Sequence, residues 1–315
     1  MMAKDVPVQY VQFAVVDRPA CVWGLDIEDD NLRFLKGFDP TFFLYQAEAH
    51  SSPPDKDSRS HAALALRLNY GMAVEALFAL LGAVVQAPDC VFGWLSLYKN
   101  EDLRELVGRV TSGKSLRTLQ PFRPCTWETI SSVLLSPLRG EDAAQHATFT
   151  ALFAKSWAGF AEHLLSAEAT LEYNSLKHSF RVQPCGFTID VSHQGASILK
   201  SESELGHAFP YVKQMAGRKM HFDVKNAAMS LEPEMSIASL KIISCSINNA
   251  IAFARDRAGD KTSDLKILLP DLELFQHAWQ PKAPIASFTT GGSIAVPENE
   301  YGSKEQILSV YDDLT

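Results

Sequence analysis

The stretch YGMAVEALFALLGAVV, Tyr70 to Val85, decides the fold class, because nearly all of its side chains are apolar. It runs for 16 residues without proline and carries Glu75 as its single charged side chain. A helix that is apolar all round lies in a protein core or in a membrane, and a membrane-spanning helix needs about 20 apolar residues. Extending the stretch towards the N-terminus adds Asn69 and Arg67. We therefore interpret it as the central buried helix of a folded protein.

A second long helix is predicted from Ala143 to about Phe180, a range without proline. One face is defined by apolar residues at spacings of 3 or 4. These are Trp157, Phe160, Leu164, Ala167 and Leu171. A second apolar face holds Ala169, Tyr173, Leu176 and Phe180. We therefore expect this helix to be buried on two sides and to pack lengthwise against the first.

Strand patterns flank the helical part of the chain. The segments VPVQYVQFAVVD and CVWGLDI are rich in β-branched and aromatic residues and predict a hairpin across the Asp17-Arg18-Pro19 turn. The segments FTIDVS, GASILK and KMHFDV predict a strand insert within residues 187–224. The predicted fold class is mainly α, a helical bundle with a small β accessory.

Five segments are predicted along the chain. Residues 1–50 form an N-terminal β/α segment, and residues 51–61 form a polar loop or linker with two prolines. Residues 62–182 form the helical core, and residues 183–232 form the β-rich insert. Residues 233–315 supply a C-terminal helix that packs on the core, followed by a loop-rich tail.

The composition favours a folded protein in a reducing compartment. Hydrophobic residues make up 46% of the chain and charged residues 21%, both ordinary fractions. The net charge of −8 disfavours chain-wide attraction to nucleic acid or an anionic membrane, although a local basic cluster can still bind phosphate. Five scattered cysteines without a CxxC pair predict reduced thiols. We expect a cytoplasmic protein with no membrane segment, metal site or cofactor.

The segment GRVTSGKS, Gly108 to Ser115, matches the phosphate-binding pattern GxxxxGK[ST]. That loop needs a buried strand directly before it and a helix N-terminus directly after it. Here the preceding NEDLREL predicts an amphipathic helix instead. A helix-ending turn at Gly113-Lys114 is therefore the preferred interpretation, and nucleotide binding through Lys114 is the minor alternative.

The candidate site lies in LEYNSLKHSFRV, Leu171 to Val182, which ends the second long helix. Asn174, Lys177, His178 and Arg181 fall within eight residues there. Histidine shuttles protons near neutral pH, whereas lysine and arginine hold phosphate or stabilise charge that develops during phosphodiester cleavage. The structural alternative is a helix end that emerges into solvent, with cations at the negative end of the helix dipole.

The motif YNSLKH near the end of a core helix resembles HEPN-type helical domains of bacterial toxins and defence proteins. That family's motif is an arginine, often followed by Asn or Asp, and a histidine a few residues later. Asn174 and His178 match the second and last positions, whereas Tyr173 stands where the arginine belongs. The resemblance covers about residues 60–182. It implies a protein that binds nucleic acid or a nucleotide and that has RNase activity. Its catalytic residues would be His178, Asn174, Arg181 and Lys177.

A second class of function remains open, a non-catalytic interaction or scaffold protein in which the same cluster is a polar lock between helices. In both cases Glu75 should be buried, and a buried carboxylate needs a partner. We expect it within about 4 Å of a cation. The candidates are Lys177, His178, Arg181 and Arg67. RNA or a nucleotide is the expected ligand of the first class, and the many apolar helix faces favour a homodimer.

Overall fold

The computed structural model describes residues 8–178, 181–193, 196–214, 221–260, 266–278 and 287–295, together with 303, 305, 306 and 309. The chain divides into two compact units. The first consists of Met1–Tyr173 and Pro233–Lys282, and the second of Asn174–Glu232 and Ala283–Thr315. The protein is mainly α-helical with a small β component, which confirms the predicted fold class.

Helices dominate the first unit, and a sheet dominates the second. In chain order the elements are β1 (Gln9–Val15), β2 (Arg18–Gly24), α1 (Ile27–Gly37), α2 (Phe42–Ala49), α3 (Lys56–Gln86), α4 (Val91–Leu97), α5 (Asn100–Thr111), α6 (Trp127–Leu134), α7 (Ser136–Glu141), α8 (Ala143–Leu165), α9 (Ala167–Lys177), β3 (Gln183–His193), β4 (Ala196–Gln214), β5 (His221–Ser230), α10 (Pro233–Arg257), α11 (Leu272–His277) and β6 (Ser287–Ala295).

Helix α3 lies at the centre of the first unit, as the apolar stretch predicts. Its side chains from Tyr70 to Val85 are mostly buried, and Leu77 and Phe78 are completely buried. Its most extensive helix contact is with α10, whereas α8 packs mainly on α6. Helix α8 contacts α3 at the Tyr70 and Phe160 rings, whose centroids lie 6.0 Å apart. The predicted lengthwise partner is therefore wrong, because α10 is buried on more faces and takes that position.

The second long helix is interrupted at Ser166, whose backbone is extended (φ −62°, ψ 137°). Arg104 of α5 donates hydrogen bonds to the carbonyls of Leu164 and Leu165, which satisfies the end of α8. The Ser166 hydroxyl then accepts from the Ala169 N–H and begins α9. Because an extended residue breaks the helical phase, the apolar stripe of α8 does not continue along α9.

The predicted N-terminal hairpin is confirmed, with β1 antiparallel to β2. The predicted turn position is wrong, because the turn is Val16-Asp17 and Arg18 and Pro19 pair within β2. Its turn contains Val16, whose φ of +59° is a conformation that two-residue hairpin turns usually give to glycine. The buried Gln86 side chain at the end of α3 holds this residue. Its Oε1 accepts from the Val16 N–H at 2.8 Å, and its Nε2 donates to the Val16 carbonyl at 2.9 Å. Helix α3 thereby fixes the hairpin to the core.

The second unit contains an antiparallel sheet in the order β3-β4-β5-β6. The first three strands confirm the insert predicted at residues 183–232. Phe209 of β4 lies opposite Ala227 of β5, and both are buried. On the other face Val212 and Val224 lie opposite each other and are exposed.

Two segment predictions are wrong. The predicted linker at residues 51–61 ends early, because Asp55 accepts a hydrogen bond from the Ser58 N–H at 2.7 Å and starts α3 there. The predicted loop-rich tail contains β6, which pairs with β5. Phe180 of the second long helix and Gly195, Lys219 and Met220 of the predicted strands lie outside the described residues.

Candidate functional site

The four predicted site residues, here called the terminal cluster, lie at and just beyond the end of α9. They are Asn174, Lys177, His178 and Arg181, and all four are exposed. Within the described ranges, the side chains of Asn174, His178 and Arg181 form no hydrogen bond or ion pair. They lie at an exposed helix end, because the break at Ser166 turns the other faces of α9 inward. The buried residues of α9 are Ala169, Glu172, Ser175 and Leu176.

Glu75 is half-buried and pairs with a tyrosine rather than a cation. The Tyr173 hydroxyl donates a hydrogen bond to Glu75 Oε2 at 3.0 Å. Burial, followed by the nearby Glu75 carboxylate, raises the pKa of Tyr173, so that the phenol remains a donor. Since no cation of the described residues forms an ion pair with Glu75, the predicted pairing is wrong.

The Tyr173 ring also explains the glycine at position 71 of α3. A Cβ added to Gly71 would lie 2.5 Å from Cδ2 of Tyr173. Close approach of the two helices at this point therefore requires glycine. Tyr173 acts here as a packing residue and as the hydrogen-bond partner of Glu75.

A second set of polar residues forms what we call the buried polar cluster. Its members are Arg67, Tyr70, His163 and Glu172. Arg67 donates from Nε and Nη2 to the two carboxylate oxygens of Glu172, at 2.8 and 2.6 Å. The Glu172 side chain is 2% exposed. The Arg67 guanidinium lies 5.2 Å from the centroid of the Tyr70 ring, and the His163 ring lies 5.1 Å from the same centroid. Sequence reasoning found Arg67 but assigned it the wrong partners.

The buried polar cluster contains one ion pair, between Arg67 and Glu172. Its other two members, Tyr70 and His163, are neutral at pH 7. Burial, together with the charge of Arg67, lowers the pKa of His163 to about 4. Burial also raises the pKa of Tyr70 to about 12. At neutral pH the imidazole and the phenol are both uncharged, and the charges of Arg67 and Glu172 offset each other. A histidine with so low a pKa is a weak base at pH 7, so the arrangement favours a structural role.

The GRVTSGKS segment ends a helix, as its context predicts. Helix α5 runs through Thr111, and Gly113 has a φ of +64°. The Gly113 N–H donates to the Val110 carbonyl, and the Lys114 N–H donates to the Arg109 carbonyl. A phosphate-binding loop requires a strand directly before it, whereas this turn follows α5. The segment therefore lacks the strand–loop–helix geometry of a phosphate-binding loop.

An open depression of about 860 Å³ lies beside this turn. Its lining residues are Asp17, Glu105, Gly108, Arg109, Ser112, Lys114 and Ser115. Arg109 forms ion pairs at 2.6 Å with both Asp17 and Glu105. The carbonyl end of α5 adds a partial negative charge. The depression is therefore poorly suited to an anion such as a phosphate.

The outer face of the β1–β2 hairpin, here called the hairpin face, is apolar and exposed. It consists of Val8, Tyr10, Trp23 and Leu25, with exposed fractions of 61%, 56%, 66% and 61%. Tyr10 lies directly opposite Trp23 in the strand register, and their ring centroids are 5.0 Å apart. Within the described residues the hairpin is a separate two-stranded sheet. An exposed apolar patch of a few hundred Å² on a folded protein is often an interaction site.

The sequence analysis did not predict the hairpin face, although the pattern of apolar residues in β1 indicates it. Val11 and Phe13 alternate with Val8 and Tyr10, so β1 is apolar on both faces. The inner face packs on α4, where a Cβ added to Gly93 would lie 2.8 Å from Val22. Because a hairpin packed on a core through one face leaves the other to solvent, a doubly apolar hairpin indicates an exposed apolar surface.

Comparison with known proteins yields no match to a family model, a curated protein or a solved structure. Among the described residues, no group of three or more His, Cys, Asp or Glu side chains could hold a metal ion. Helices Asp57–Gln86 and Pro233–Arg257 are long and apolar enough to cross a membrane by length and composition alone. Most of each apolar window is buried inside the protein. The five cysteines are free thiols.

Proposed function

We propose that this chain is an interaction protein that binds a partner polypeptide through the hairpin face. The observation that carries this proposal is the exposed Tyr10–Trp23 pair. A whole aromatic side chain covers about 150–250 Å², so the two rings together leave roughly 200–300 Å² of largely apolar surface in water. Tyrosine and tryptophan also dominate the binding energy of many protein interfaces.

Rigid support of the hairpin favours the same function. Gln86 binds both backbone polar groups of Val16, and the Gln9 side chain accepts a hydrogen bond from the Ile27 N–H at 3.1 Å. Both ends of the hairpin are therefore tied to neighbouring helices. A surface that is already ordered loses less conformational entropy when it binds.

The buried polar cluster supports the interaction role in a different way. Arg67 and Glu172 satisfy each other inside the helical unit and stabilise the packing of α3 on α9. The scaffold alternative assigned a polar lock to the terminal cluster, whereas this ion pair is formed by other residues.

The interaction role can be tested by selection from a peptide library displayed on phage, with the full chain as bait. We expect enriched peptides whose affinity falls about tenfold or more in the Tyr10→Ser/Trp23→Ser variant. Tyr45→Ser is the matched control, since Tyr45 of α2 is also 66% exposed and lies outside the hairpin face. Absence of enrichment, or peptides that bind the double variant as well as the wild type, would contradict the proposal.

A second candidate is RNA or nucleotide binding by the terminal cluster, including HEPN-like RNase activity with His178 as the catalytic residue. The observation in its favour is that Lys177, His178 and Arg181 are exposed at one helix end, where a phosphate can reach them. With labelled RNA, Lys177→Ala/Arg181→Ala should weaken binding about tenfold. His178→Ala should abolish cleavage, whereas Lys114→Ala should leave both unchanged. Failure of the wild type to bind or cleave RNA excludes this candidate.

A further inference from the structure

The hairpin face continues directly into an acidic segment. Leu25 is followed by Asp26, and helix α1 then begins with Ile27 and carries Glu28 and Asp29 in its first turn. We call Asp26, Glu28 and Asp29 the acidic rim, and all three are exposed. Within the described residues none of the three forms an ion pair. Asp30 is excluded from the rim, because it pairs with Arg33 at 3.0 Å.

Helix capping accounts for only part of this charge. Asp26 accepts a hydrogen bond from the Asp29 N–H at 3.2 Å and so caps α1. Carboxylates in a first helical turn also interact favourably with the helix dipole. The carboxylates of Glu28 and Asp29 nevertheless stay in water beside an exposed apolar surface. They remain accessible to cations of a partner.

The cation of the hairpin, Arg18, already has hydrogen-bond partners. Arg18, at the turn end of the hairpin, donates to the Asp102 carboxylate at 2.9 Å and to the Leu97 carbonyl at 3.0 Å. The rim lies at the opposite end, beside Gly24 and Leu25. Among the described residues, the carboxylates of the acidic rim are therefore the unpaired charges at this end of the hairpin.

We propose that the partner is a polypeptide segment in which apolar side chains stand beside lysine or arginine. This inference rests on the proposed function of the hairpin face. The apolar side chains cover Tyr10 and Trp23, and the cations reach the acidic rim. Charge complementarity of this kind raises the association rate and excludes wrong partners.

The same charges argue against two other occupants. A second copy of this chain would bring another acidic rim to the contact and carries a net charge of −8 itself. Single-stranded nucleic acid stacks on aromatic rings, but its phosphates would be repelled by Glu28 and Asp29. A basic, apolar peptide fits both the rings and the rim.

Three labelled octapeptides test the class of partner, one alternating Leu and Lys, one alternating Leu and Glu, and one alternating Ser and Lys. Binding to the full chain is measured by fluorescence anisotropy at low and at physiological salt. We expect the wild type to bind the Leu/Lys peptide about tenfold or more tightly than either of the others. Tyr10→Ser/Trp23→Ser should remove this preference.

Charge-reversal variants isolate the contribution of the rim. Glu28→Lys/Asp29→Lys should weaken Leu/Lys binding about fivefold and reduce its dependence on salt. Glu48→Lys/Glu273→Lys is the matched control, since it changes the net charge equally at exposed acids outside the rim, and it should alter binding by less than about twofold. Circular dichroism and Tm of each variant verify folding.

Each outcome separates the two proposals. If the Leu/Glu peptide binds as tightly as the Leu/Lys peptide, and Tyr10→Ser/Trp23→Ser still weakens it, the hairpin face stands and the basic class of partner is wrong. If the hairpin variant changes no peptide's affinity, the proposed function fails together with the inference. A concentration-dependent dimer in sedimentation that Trp23→Ser abolishes identifies a second copy as the occupant and overturns the basic partner.

Discussion

The buried polar cluster and the terminal cluster use similar residue types at neighbouring positions with opposite results. Glu172 and His178 are six positions apart in and beyond α9. Glu172 is almost completely buried and accepts two hydrogen bonds from Arg67, whereas His178 is exposed. A buried charged group needs a partner inside the protein, because an unpaired charge away from water costs several kcal/mol. Exposure leaves a group available to a ligand but makes it nearly irrelevant to stability.

The largest expected difference between the two clusters is the cost of deleting one member. Glu172→Ala leaves Arg67 without its carboxylate partner and should lower the free energy of unfolding by about 3 kcal/mol. His178→Ala should change it by less than about 0.5 kcal/mol. Urea unfolding curves measure both. Similar stability of the two variants would contradict the expected difference between the buried and the exposed cluster.

A rescue experiment sharpens the same contrast. Replacing the pair together, as Arg67→Met/Glu172→Leu, removes the uncompensated charge and should recover most of the loss. If the double variant is as unstable as Glu172→Ala, lost packing rather than an unpaired charge explains the effect.

The next largest effect concerns pH, through His163. Its pKa in the folded protein is lowered to about 4 from an ordinary 6.5, first by burial and then by Arg67. Between these values the unfolded chain binds a proton that the folded chain does not, so stability falls as pH drops from 6.5 towards 4. The loss assigned to this group is at most about 3 kcal/mol between pH 7 and pH 4. It should be missing in His163→Gln.

The measurement is the free energy of unfolding from urea titrations between about pH 7 and pH 4. His178→Gln is the control, and because that ring is exposed its stability should follow the wild-type curve. A His163→Gln variant that keeps the full wild-type pH dependence would show that His163 is not the responsible group.

A smaller effect is expected where Gly71 of α3 contacts the ring of Tyr173 of α9. Gly71→Ala places a Cβ 2.5 Å from the Tyr173 ring, so the ring must move. We expect a loss of about 2 kcal/mol. Gly140→Ala in α7, where a Cβ meets nothing within 4 Å, should instead be neutral or stabilising. Thermal unfolding of the two alanine variants measures the difference, and equal Tm values would contradict the close packing.

The smallest effect is the loss of one hydroxyl. Tyr173→Phe removes the hydrogen bond to Glu75 at 3.0 Å while the ring stays in place. We expect a loss of about 1 kcal/mol in the free energy of unfolding. The control is Tyr45→Phe, whose exposed hydroxyl should contribute almost nothing. A Tyr173→Phe variant as stable as the wild type would mean that water replaces the hydroxyl without cost.

Most of the fold could be predicted from local patterns. The apolar stretch from Tyr70 to Val85 identified α3 as the core helix, and the β-rich segments gave the hairpin and three strands of the sheet. Strand β6 was missed, because TTGG within SFTTGGSIA reads as a turn and only pairing with β5 makes it a strand. The break at Ser166 was missed because it depends on Arg104, which is distant in sequence.

The candidate sites were much less predictable than the fold. The sequence identified Arg67 and Glu75 as charges that need partners, and the structure supplies Glu172 and Tyr173 instead of the terminal cluster. A helical stripe extrapolated from α8 assigned the wrong face to α9. The hairpin face was overlooked because exposure of one side of a two-stranded sheet depends on what packs against the other side.

The sequence by itself determined most of the helices and strands, and it identified Arg67 and Glu75 as charges that need partners. These properties follow from side-chain periodicity, backbone preferences and the cost of removing a charge from water, all of which act locally. The tertiary structure alone decided which charge meets which partner and which apolar face stays in solvent. Those outcomes depend on how residues distant in the sequence, such as Arg104 and Leu165 or Arg67 and Glu172, are brought together by packing.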